Sequence, residues 1–142
     1  YIPVVIPYEI ESEHMGIDTI QCAKNMATLL HAEKLIYLGK HDGLKDENGE
    51  HIYYLSEEGI KDYMKSHVMD KQLHNMLKNT IEALDGGVNR VHIIEGKVEH
   101  AVLLELFSMK GIGTVFTDEE RRLYPHEKRR RDSHVKAENT NK

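Results

Sequence analysis

Residues 91–114 read VHIIEGKVEHAVLLELFSMKGIGT, and this stretch sets the fold. Val91-His92-Ile93-Ile94 is a short run of strand-forming residues. Glu95-Gly96 breaks it, and the apolar residues that follow recur at helical spacing from about Glu99 to Met109. Gly111-Ile112-Gly113 brackets a turn, and Thr114-Val115-Phe116 makes a further strand. This order puts His92 at a strand start, Glu105 on the helix and Gly111 just past the helix C-terminus. A strand, a helical carboxylate and backbone at a helix end can surround one small cationic ligand. The carboxylate and the carbonyl end of the helix dipole both favour positive charge.

Outward from this stretch, strand-like and helix-like runs alternate, which predicts an α/β architecture. Ile2 to Ile6 reads as a strand and Glu9 to His14 as a polar loop. Asp18 to His31 has Ile20, Ala23, Met26, Ala27 and Leu30 at helical spacing, and Lys34 to Leu38 is a buried strand. His41 to Glu50, dense in Asp, Gly, Asn and Lys, is a loop or hairpin. Ile52 to Leu55 is a short strand, and Ser56 caps a helix whose first turn carries Glu57 and Glu58. Asp70 to Leu84 is a longer helix with Leu73, Met76, Leu77, Thr80, Ile81 and Leu84 on one face, ended by Gly86-Gly87.

The 142 residues carry a formal charge of -5, with 39% hydrophobic and 30% charged residues. Residues 118–142 hold eight Lys+Arg against six Asp+Glu, so the acidity lies in the rest of the chain. An acidic body argues against a nucleic-acid partner. No apolar run approaches the roughly 20 residues needed to span a bilayer. One cysteine, Cys22, excludes an internal disulfide and fits a reducing compartment, the cytoplasm or an organelle matrix. Ten histidines invite a metal reading, but no His-x-x-x-His or Cys-x-x-Cys pair supports one. The tail from Asp118 loses periodicity and contains the run Lys128-Arg129-Arg130-Arg131, flanked by acids. It reads as a solvated terminus, separate from a domain over residues 1–117.

The 91–114 stretch closely resembles the C-terminal signature of N-acetylglutamate kinases and of the kinase-like domain of N-acetylglutamate synthases. Ala32-Glu33-Lys34-Leu35-Ile36-Tyr37-Leu38 and Ala83-Leu84-Asp85-Gly86-Gly87-Val88 carry the resemblance upstream. It covers residues 1 to 117, as the C-terminal half of an amino-acid-kinase (carbamate-kinase-like) domain. It implies a largely parallel sheet with helices on both faces. It also implies an arginine-binding site at His92, Glu105 and Gly111, a missing N-terminal half and a homo-oligomer.

The same resemblance exposes departures. The family's Asn-x-Asn-Ala-Asp segment falls on Gly16 to Ile20, which puts Ile20 where an aspartate is expected. A Thr-Asp pair falls on Gly39-Lys40, and the catalytic lysine of a Gly-Gly-Met-x-Pro-Lys segment falls on Met76. Asp18 is the nearest surviving acid, so no catalytic set is intact. Phosphoryl transfer rests on such charges, and losing one typically costs about 10² to 10³ in rate. The expectation is an arginine-sensing kinase-like domain of an N-acetylglutamate synthase. The alternatives are an authentic acetylglutamate kinase using ATP and Mg²⁺, or a fragment that only assembles with other subunits. No cofactor belongs to this segment. Acetyl-CoA would be handled by an acetyltransferase domain absent here.

Overall fold

The computed structural model describes residues 2–5, 18–108 and 111–118. Expectations for Ile6, the 9–14 loop, Gly16, Met109 and the tail beyond Asp118 therefore lie outside the described residues. The elements run α1 (Thr19–Leu29), β1 (Lys34–Gly39), β2 (Leu44–Lys45), β3 (His51–Ile52), β4 (Tyr54–Ser56), α2 (Glu57–Ser66), α3 (Lys71–Asp85), β5 (Arg90–Glu95), α4 (Ala101–Phe107) and β6 (Thr114–Thr117).

Side chains at the helix starts explain where three of the helices begin. Asp18 accepts from the backbone N–H groups of Ile20 and Gln21, Ser56 from Gly59, and Asp70 from Leu73. Each satisfies donors that a helix start leaves orphaned. Asp46 does the same for the tight turn between β2 and β3, accepting from Asn48 and Glu50. The segment 41–50 is thus a hairpin, and the expected strand 52–55 divides between this hairpin and the main sheet.

The main sheet has the order β1-β5-β6-β4. β1 pairs parallel with β5 and β4 parallel with β6, while β5 and β6 are antiparallel. Two of the three pairings fit a largely parallel sheet. The third does not, because the connection through the seven-residue α4 returns to the same end of the sheet, and an antiparallel neighbour needs no crossover. α4 is also shorter than the expected 99–109. His100 precedes it in the left-handed region at φ 57 without a side-chain cap, so Glu99 and His100 belong to the turn. Residues 2–5 form no strand, and Ile2, Val4 and Val5 are exposed. An apolar run becomes a strand only where a sheet edge accepts its backbone, and here none does.

Leu35, Tyr37, Val91, Ile93 and Phe116 of the sheet pack with Met76, Leu77 and Leu84 of α3 and Ile60 of α2 in one core. The alternate side chains of β5 turn the other way, toward α4, where His92 meets Glu105. Helices therefore cover both faces, and β5 is buried on each side, as expected of an interior strand.

Candidate effector site

Arg90 to Ile94 are all buried, so a polar residue among them needs partners. His92, 4% exposed, finds one in Glu105, 1% exposed. His92 Nδ1 donates to Glu105 Oε1 at 2.9 Å. Glu105 Oε2 accepts from the backbone N–H of Ile112 at 2.8 Å and of Gly113 at 2.9 Å. Burying a carboxylate is costly unless donors replace its water. These three do so, and in return the carboxylate fastens the 111–113 turn against α4 and β5.

The pair also fixes the imidazole. A carboxylate only accepts, so Nδ1 carries a proton, and while the ring is neutral Nε2 is an acceptor. That Nε2 is buried and has no hydrogen-bond partner.

Glycines make the turn possible. Gly111 adopts φ 69, and its N–H donates to Ser108 Oγ at 2.9 Å. Gly113 lies so close to β5 that a Cβ would stand 2.2 Å from the carbonyl oxygen of Ile93. On the far side of the turn sits the β2–β3 hairpin. His51 Nε2 donates to the Gly113 carbonyl at 3.0 Å. Thr114 Oγ1 accepts from Leu44 N at 2.8 Å and donates to the Ile52 carbonyl at 2.5 Å. His92, Glu105 and Gly111, which the sequence singled out, thus converge on one turn. His51, Ser108 and Thr114 complete it and were not foreseen. His51 and Thr114 act across some sixty residues, and no local pattern signals that approach.

Asp18 lies elsewhere. Besides capping α1 it accepts from Asn75 Nδ2 of α3 at 2.7 Å, and this bond holds its carboxyl below the ordinary value. Nearby, Lys40 and His41 face Asp70, at 3.4 and 3.5 Å. Ile20 packs against the core, and Met76 is 3% exposed within it. The three positions where the resemblance implies phosphoryl-transfer groups thus hold a half-buried isoleucine, an exposed lysine and a buried methionine. Among the described residues no group of three His, Cys, Asp or Glu side chains is arranged to hold a metal ion. Among the described residues no helix is long and apolar enough to cross a membrane.

No protein-family model matches this sequence. Curated relatives do. Acetylglutamate kinase from Aquifex aeolicus is 37% identical over 119 residues, which are 82% of this chain and 40% of that protein. The Campylobacter hominis enzyme is 35% identical over 117 residues, 81% of this chain and 41% of that protein. Two crystal structures of N-acetylglutamate synthase from Neisseria gonorrhoeae match the fold. The complex with coenzyme A and N-acetylglutamate aligns with TM-score 0.68 at 33% identity, over 73% of this chain and 24% of that one. The complex with coenzyme A and L-arginine aligns with TM-score 0.67 at 30% identity, over 84% of this chain and 28% of that one. Over the matched residues the chain has the α/β fold of part of the amino-acid-kinase domain in these acetylglutamate kinases and N-acetylglutamate synthases. It spans about two fifths of the length of the curated relatives it matches. In this chain the His92–Glu105 pair and its glycine turn lie between β5, α4 and β6.

Proposed function

We propose that this segment is the arginine-sensing, kinase-like part of an N-acetylglutamate synthase, and that its phosphoryl-transfer site is lost. The observation that carries the reading is the buried His92–Glu105 pair with its unmatched Nε2 acceptor beside a glycine turn. The guanidinium or ammonium N–H groups of L-arginine suit that acceptor. The Glu105 charge, set immediately behind the 111–113 backbone, favours a cation there. Gly111 leaves room for the ligand against the main chain. A similar protein, the gonococcal synthase, has been crystallised with L-arginine. Loss of phosphoryl transfer is supported by Ile20, Lys40 and Met76 at positions where the resemblance implies acids and a lysine. Coenzyme A chemistry belongs to residues beyond this segment. Assembly into a homo-oligomer and residence in the cytoplasm or an organelle matrix accompany this reading.

The alternative is an authentic acetylglutamate kinase that binds ATP and Mg²⁺, with Asp18 as its acid. The names of the curated relatives favour it. Two assays on the full-length protein separate the readings. Calorimetric titration of L-arginine should show binding that Glu105→Gln weakens about ten-fold or more, since it removes the charge from the bonds to His92, Ile112 and Gly113 that form the turn, each worth roughly 1.5–3 kcal/mol. Glu99→Gln, an exposed carboxylate outside the turn, should leave the affinity unchanged. Equal affinities for the two variants would refute the site. ADP release with ATP, Mg²⁺ and N-acetylglutamate should stay at background. Turnover of about 1 to 10³ per second would establish the kinase reading.

A further inference from the structure

We infer that His51 is a positioning residue for the effector turn, and that the β2–β3 hairpin sets how well the turn is formed for its ligand. The inference rests on the arginine reading for its ligand and on geometry for everything else. Gly113 has one donor and one acceptor in its backbone. Glu105 takes the donor from the α4 side at 2.9 Å, and His51 supplies the acceptor's partner from the hairpin side at 3.0 Å. The residue is held at both polar groups by two different elements. Gly113 is buried, so neither partner is readily replaced by water.

The hairpin is itself fixed around this contact. Thr114, the next residue, bonds to Leu44 on β2 and Ile52 on β3. Gly43, at φ 101, lets the hairpin approach so closely that a Cβ there would meet Thr114 Oγ1 at 2.7 Å and His51 Cε1 at 3.0 Å. Tyr53 lies against the His51 ring, with centroids 4.4 Å apart, and Tyr63 of α2 donates to the Lys45 carbonyl at 3.0 Å. A shift of α2 or of the hairpin therefore reaches the Gly113 carbonyl through His51. A shift of the turn on ligand binding reaches the hairpin by the same bond.

Three variants of the full-length protein test this. His51→Leu removes the donor and keeps the bulk. His51→Gln keeps an N–H at about the place of Nε2. Asp46→Ala loosens the hairpin turn without touching Gly113. Two readouts are used: L-arginine affinity, and amide hydrogen exchange at Ile112 and Gly113 without arginine. His51→Leu should weaken L-arginine about three- to ten-fold, the usual net worth of one hydrogen bond, and speed exchange of both amides. His51→Gln should restore most of both, and Asp46→Ala should disturb them less than His51→Leu. Exchange in His51→Leu equal to that of the unmodified protein would overturn the inference. So would Asp46→Ala matching His51→Leu in both readouts, since hairpin stability alone would then explain the effect. If the unmodified protein binds no L-arginine, the functional reading fails, while the exchange readout still decides the role of His51.

Discussion

Gly111 is the residue at which the proposed ligand site and a left-handed backbone coincide. Its φ of 69 lies where a side chain is disfavoured, by about 1–2 kcal/mol for most residues. Gly111→Ala should therefore lower the melting temperature as well as weaken L-arginine. Gly111→Asn, which tolerates this conformation better, should recover part of the stability but not the affinity, because its side chain still intrudes. Equal melting temperatures for Gly111→Ala and the unmodified protein would show that the strain is relieved elsewhere. This demand was only partly legible in the sequence. The spacing brought His92, Glu105 and Gly111 together. It did not show that Glu105 would be enclosed rather than open, with its oxygens engaged by His92 and by the backbone of Ile112 and Gly113. A charge within an apolar helix reads equally well as a surface residue until the strand and turn packed around it are known.

At the scale of elements, α1 and α3 are tied twice across their contact. Asp18 at the start of α1 accepts from Asn75, and Lys24 donates to Glu82 at 2.8 Å. Both carboxyls are held below their ordinary values, Asp18 by Asn75 and Glu82 by Lys24. A group with a depressed folded pKa contributes stability above its unfolded pKa and loses it as pH falls through the folded value. The window here opens near the ordinary values of 3.8 and 4.5 and extends below them. Asp18→Ala should cost about 0.5–2 kcal/mol at pH 7, mostly as a lost helix cap. The gap between variant and unmodified protein should close as the pH is lowered below about 3, because protonation removes the same bonds. A gap that stays constant in melts from pH 7 to pH 2.5 would contradict this. These helices were readable from apolar spacing and capping residues. The pairing of β5 with β6 was not, since a strand–helix–strand order normally signals a parallel pair.

For the molecule as a whole, β1 ends the main sheet among the described residues, and Leu38 on it is 57% exposed. Leu103, Leu104 and Phe107 of α4 are exposed as well. Exposed apolar surface of this kind is prone to associate with another chain. The 142-residue segment should therefore associate when produced alone, in a concentration-dependent way. Leu38→Lys should reduce that association in sedimentation experiments without lowering the melting temperature, because the lysine head stays in water at the edge. A strictly monomeric segment with a sharp, concentration-independent melt would count against it.

β6 is the last strand described, yet it runs in the interior of the sheet, between β5 and β4. Tension applied to the chain beyond Thr117 would therefore load two ladders at once in shear along β6, rather than peel an outer strand bond by bond. The first yielding point upstream would be Gly113, pinned by Glu105 on one side and His51 on the other. Mechanically, the glycine turn is a clevis: whatever pulls on the far end of β6 strains Gly113 between Glu105 and His51.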